Sequence, residues 1–241
     1  MINPTQAADV IAPKHENRDG PLPSLLLVLT FVTGLVDAVS YLKLGHVFVA
    51  NMTGNVVFLG FAVAGAQDFS IPASLAALAG FLLGALAGGA LGSRTGQHRG
   101  RFLAIAILIK IVLVGVALII APAIAGPYGE LTRYVVIVLL ALAMGVQNAT
   151  ARRLAVADLT TTVLTLTGLA ADSTLAGGSN PRPARRLAAT VTMFLGAAVG
   201  AFLVLQAGVV AALALTLLLL VLNGIASYRA SSSSAPWTAA A

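Results

Sequence analysis

Cysteine is absent from the 241 residues. Its absence excludes disulfides, thiolate metal sites and cysteine nucleophiles. The three histidines are scattered and give no ligand pair at helical spacing, so no metal is expected. The serines near Asp37 lack a positioned histidine base, so nothing resembles a hydrolase triad. No strand is evident, and hence no phosphate-cradling loop follows one. The expectation is a protein that is not an enzyme, carries no cofactor and is not an ATP-driven pump by itself. Charge is scarce too: 9% of residues are Asp, Glu, Lys or Arg, against about 25% in soluble domains.

What fills the space is apolar. Hydrophobic residues make up 59% of the chain, and the mean hydropathy is +0.97. A soluble core could not hide this much apolar surface, and repeated runs of about 20 apolar residues read as membrane spans. The runs fall at 24–42, 47–66, 72–93, 102–121, 132–150, 159–176, 187–205 and 207–227. The net charge of +6 sits in the connections between them, as loop anchors do, and implies no nucleic-acid partner. Residues 1–23 are polar, carry four prolines and read as a disordered tail without signal-peptide character. The stretch 229–241, RASSSSAPWTAAA, reads as a second disordered tail. Between them, 24–228 is expected to form one membrane domain.

The most polar stretch inside this apolar body is GLVDAVSYLKLGHVFVANMTGNVVFLG, residues 34–60. An unpartnered polar group in lipid costs several kcal/mol, so the stretch must pack in protein or line something wet. Ionisable residues in such places are functional candidates. Asp37 could hold a cation, relay a proton or bind a polar solute. The structural alternatives are a pair with Lys43 or Lys110, or an interfacial position. Asn51, Thr53 and Asn55 surround Gly54 and could satisfy an interrupted helix, the setting in which transporters place their sites; the plainer reading is a helix cap. Tyr41 is a further candidate, although it and His46 have the character of interface residues. Lys110, inside ILIKIVLV, could snorkel to the interface or counter Asp37.

Self-similarity divides the domain into two halves, 24–121 and 132–228. GLVDA at 34–38 matches GVQNA at 145–149, pairing Asp37 with Asn148. MTGNVV at 52–57 matches LTTTVL at 159–164, pairing Thr53 with Thr160. FLLGALAG at 81–88 matches MFLGAAVG at 193–200. Gln147, Asn148, Asp158, Thr160 and Thr161 therefore join the candidate solute or ion site. Gly80, Gly84 and Gly88 recur every fourth residue, with Gly196 and Gly200 as counterparts, and such stripes let helices approach closely. The two glycine faces are expected to pack on each other.

Loop charge arbitrates the number of spans. If all eight runs cross, the positive-inside bias nearly vanishes. If 47–66 and 159–176 only dip in and return, the arginines at 94, 99, 101, 152, 153, 182, 185, 186 and 229 join Lys14 and Arg18 inside, leaving Lys43 and Arg133 outside. The expected fold is an all-α polytopic membrane protein of two repeats: six full spans in inverted halves, plus two re-entrant or interrupted motif helices. Seven or eight spans are the alternatives.

Taken together, TGLVDAVSYL, HVFVANMTGN and MGVQNA resemble the YoaK-like membrane family, domain of unknown function 1275. The resemblance implies a multi-span protein of the bacterial cytoplasmic membrane and brings no assigned catalytic residue. The repeat and its polar interruptions point to a secondary transporter or permease, with the lipid bilayer, a small polar solute and a coupling ion as partners. The alternative is a non-transporting scaffold or assembly partner with the glycine stripe as its interface.

Overall fold

The structure, a computed structural model, describes residues 19–127, 129–156, 183–232 and 235–239. Among the described residues it is all-helical: six α-helices, two short 3-10 turns and one isolated bridge between His98 and Ala239. The helices are α1 (Leu22–Lys43), α2 (Met52–Val63), α3 (Ile71–Thr95), α4 (Arg99–Ile120), α5 (Gly129–Leu154) and α6 (Pro183–Ser231). All but α2 are long and apolar enough to cross a membrane. Their outer faces carry exposed Leu82, Leu86, Leu108, Ile119, Phe194 and Phe202, the surface a bilayer covers. Their inner faces bury Leu26, Leu29, Val36, Phe102, Ile107, Leu140, Met144 and Leu220.

Helix boundaries follow local chemistry. Pro23 stands in the first turn of α1, where its missing N–H costs nothing. The same helix stops at a turn in which Gly45 takes φ 108°, a conformation that suits glycine. The side chains of Asn51, Ser70 and His98 accept from the backbone N–H groups of Gly54, Ala73 and Arg101 to start α2, α3 and α4. The apolar run 47–66 therefore divides: residues 47–51 are not helical, and α2 has only 12 residues. At 1.5 Å per residue it is about 18 Å long, short of a hydrocarbon core of roughly 30 Å. The other motif run, 159–176, lies outside the described residues.

Helix α6 has 49 residues and would be about 74 Å long if straight. It breaks at Gly208, where φ is 83° and ψ 178°; a side chain is rarely tolerated there. The halves, α6a (183–207) and α6b (209–231), fold back into a hairpin, because both ends reach one place. Arg185, in the first turn of α6a, pairs with Asp19 Oδ2 at 3.4 Å. Arg99, at the start of α4, pairs with Asp19 Oδ1 at 3.3 Å and donates to the Leu154 carbonyl at 2.7 Å. A Cβ on the adjacent Gly100 would lie 3.0 Å from Ser231 Cα, at the end of α6b. One end of the bundle thus gathers Arg94, Arg99, Arg101, Arg152, Arg153, Arg185, Arg186 and Arg229; Lys43 and Arg133 lie toward the other. Of the expected 229–241 tail, the described part is docked at the basic end: Trp237 is buried against Gly20 and Gly100.

The glycine stripes face other partners than each other. Along α3, Gly80, Gly84 and Gly88 lie against Val138, Leu142 and Val146 of α5; along α6a, Gly196 and Gly200 lie against Phe31 and Leu35 of α1. The expected meeting of the two stripes is therefore corrected. The reason is reciprocal: α1 and α5 present a glycine of their own at each crossing. Gly34 sits against the Met193 carbonyl and Ala197 N, and Gly145 against the Phe81 carbonyl and Ala85 N. With a small residue on both sides, the backbones approach closely.

Candidate functional site

Two polar clusters lie within the bundle. The first is built around the loop 44–51. Asp37 is 5% exposed, and its Oδ1 accepts from the backbone N–H groups of Val49 at 3.0 Å and Ala50 at 2.9 Å. Asn55, buried on α2, grips Phe48 twice: its Oδ1 accepts from Phe48 N at 2.8 Å, and its Nδ2 donates to the Phe48 carbonyl at 2.6 Å. These bonds satisfy backbone groups that leave regular structure inside an apolar body. Asn51 caps α2, and Thr53 beside it is exposed. Tyr41, half-buried, stacks on Phe48 at 5.2 Å and meets the His46 ring at 5.3 Å; Phe58, Phe61 and Phe69 extend this aromatic group. Asp37 Oδ1, Asn51 Oδ1 and both polar atoms of Asn55 are thus occupied by backbone. No ion pair joins Asp37 to Lys43 or Lys110 among the described residues.

The second cluster lies near the middle of the spans. Lys110 is 1% exposed, eleven residues into α4 and far from either end of it. Its Nζ donates to Gln147 Oε1 of α5. Gln147 Nε2 in turn donates to Thr33 Oγ1 of α1 at 2.8 Å and, more weakly, to the Leu29 carbonyl at 3.4 Å. Thr33 Oγ1 donates to that same carbonyl at 2.9 Å. Three helices therefore converge on one amide. Asn223 of α6b ties a fourth helix to the first through the Leu25 carbonyl, at 3.1 Å. A lysine amine taken from water into this setting carries a large desolvation cost, which a neutral amide repays only in part. Thr33 and Asp37 stand four residues apart on one face of α1, so the two clusters lie one helical turn apart along it.

Of the residues named from sequence, Asp37, Tyr41, Asn51, Thr53 and Asn55 come together at the loop, and Gln147 belongs to the central cluster instead. Asn148 is half-buried on α5. Asp158, Thr160 and Thr161 lie outside the described residues. Sequence reading did not anticipate Thr33, whose hydroxyl in the run LTFVTGLV gives no signal. Nor did it find the pairing of Lys110 with Gln147, which lie 37 residues apart.

Apolar helices of spanning length, an apolar exterior and a polar centre held between helices define a helical multi-pass membrane protein. Residues 25–225 match the family described as "Protein of unknown function (DUF1275)", and the chain belongs to that family. It is similar to the UPF0700 transmembrane protein YoaK of Bacillus subtilis (strain 168): 33% identical over 142 residues, which cover 59% of this chain and 62% of that protein. The match thus spans less than two thirds of that relative's length. No solved structure matches the chain.

Proposed function

We propose that the protein is a secondary transporter or permease for a small polar solute in the bacterial cytoplasmic membrane, with Lys110, Gln147 and Thr33 as its polar centre. The observation that carries this reading is Lys110. It is a buried amine in the middle of an apolar span with no carboxyl partner among the described residues. Intramembrane ionisable groups are costly, and those that persist mark solute, ion or proton pathways. Gln147 offers a rotatable amide that can exchange its partners for a solute. Asp37 and Asn55 hold the loop at one mouth of that path, and Asp37 is the proposed coupling group, one turn from Thr33.

The architecture we propose for this function is six spans in two inverted halves. The break at Gly208 supports six, and so does the single basic end. Reciprocal packing supports the repeat. Positions 34 and 145 differ by 111, as do 31 and 142, and 35 and 146; 84 and 196 differ by 112, as do 88 and 200, and 81 and 193. Each of these glycine contacts of α1 with α6a thus has a counterpart between α5 and α3. Inverted-repeat transporters hold their shared site near the mid-membrane between halves related in this way, which supports the reading. The scaffold reading loses its motivation, because the glycine stripe of α3 is used up against α5.

Reconstitution tests the function. Proteoliposomes holding the wild-type protein should take up at least one solute from a panel of small polar metabolites. Lys110→Met should abolish uptake while keeping the fold, since it replaces a buried amine with an apolar side chain of similar length. Wild-type vesicles without flux for any solute or ion, or a Lys110→Met variant with unchanged flux, would overturn the reading.

A further inference from the structure

An apolar groove of about 550 Å³ runs between α4 and α6b on the outer face of the bundle. Ile105, Leu108 and Ile111 form one wall, and Val221, Ile225 and Tyr228 the other. Its depth comes from Gly224: a Cβ there would lie 3.3 Å from both Ile107 Cγ2 and Ile111 Cδ1. The walls face outward, with Leu108 and Tyr228 both largely exposed.

The charge at its mouth sets this groove apart from the general lipid-facing surface. Arg229 lines it directly, in the last turn of α6b. Arg101 stands on the same face of α4, one turn before Ile105. The contact of Gly100 with Ser231 puts both arginines at the same end of the bundle. Both are exposed, and neither has an ion pair among the described residues. Tyr228 beside them has the amphipathic ring that settles at headgroup level. The mouth is therefore cationic at headgroup depth, and the channel leading inward from it is apolar.

We propose that this groove binds one anionic phospholipid, with an acyl chain along Leu108 and Val221 and the phosphate between Arg101 and Arg229. The charge pattern selects this occupant. A second copy of the chain would have to cover two cations that form no ion pair among the described residues, whereas an anionic headgroup matches them. The site is independent of the transport reading.

Native mass spectrometry of the full chain in neutral detergent tests it, with phosphatidylglycerol and phosphatidylcholine titrated separately. Phosphatidylglycerol should bind at one saturable site, roughly 25-fold more tightly than phosphatidylcholine. The Arg101→Gln, Arg229→Gln double variant should lose that preference, at about fivefold per arginine. Arg94→Gln removes an exposed charge at the same end of the bundle, away from the groove, and should keep it. Gly224→Leu should block the groove with both arginines in place. Equal affinity for the two lipids, an unchanged preference in the double variant, or a dimer whose formation is abolished by Gly224→Leu would each overturn the proposal.

Discussion

Asp37 allows the sharpest test of what the polar motif does. Its Oδ1 is the acceptor for two buried backbone N–H groups, those of Val49 and Ala50. Asp37→Ala removes the acceptor and leaves both donors without a partner in an apolar setting. Each such orphan costs about 1–3 kcal/mol, so the variant should lose roughly 2–6 kcal/mol. A chain of this size shifts about 2–4 °C per kcal/mol, which corresponds to a fall on the order of 10 °C in thermal unfolding in detergent. Asp37→Asn behaves differently. Its amide oxygen can accept from the same two groups, and losing the charge relieves part of the cost of burial. It should unfold within a few degrees of the wild type. Solute flux, measured on the same preparations, then separates the two roles. If the carboxyl couples transport, Asp37→Asn is stable and inactive. If it only holds the loop, Asp37→Asn is stable and active. An Asp37→Ala protein that unfolds at the wild-type temperature would refute the clamp itself.

The remaining predictions concern packing and topology. Gly84→Leu should sharply reduce the yield of folded protein, because its side chain would be driven into the backbone of Leu142, whereas Gly89→Leu faces open space and should be tolerated. Solubilised yield under identical expression checks both, and equal yields would remove the close-packing argument. Gly208→Ala should also destabilise, by about 1 kcal/mol or more, since alanine resists positive φ; unchanged unfolding would argue against the break. Cysteines placed at Ala207 and Asp68 should react with an impermeant reagent from one side, and those placed at Gln97 and Ser232 from the other. Labelling of Ala207→Cys and Ser232→Cys from the same side would sink the hairpin.

The membrane class was legible in composition alone, because a chain with so few charges has no soluble way to cover its apolar surface. Six of the eight apolar runs correspond to described long helices or helix halves within a few residues, since hydropathy reports directly on what lipid accepts. The glycine spacing in 80–88 marked a close-approach face for the same local reason: a bare helix edge is a property of one helix. The partner of that edge was not legible. Whether α3 meets α6a or α5 depends on where two distant helices lie, and only the assembled bundle pairs Gly84 with Leu142 and Gly196 with Phe31. The polar residues divide in the same way. The burial of Asp37 and Asn55 followed from their neighbours in sequence, but not what they bond to. Asp37 and Asn55 are spent on the backbone of 48–50 because the chain turns back there. Lys110 finds Gln147 because α4 and α5 pack side by side. A hydrogen bond needs two groups within about 3 Å, and sequence separation carries no such distance. The sequence by itself therefore determined the solvent this protein lives in and the helices it is cut into. The tertiary structure decided which polar groups serve the fold and which single amine is left at its centre.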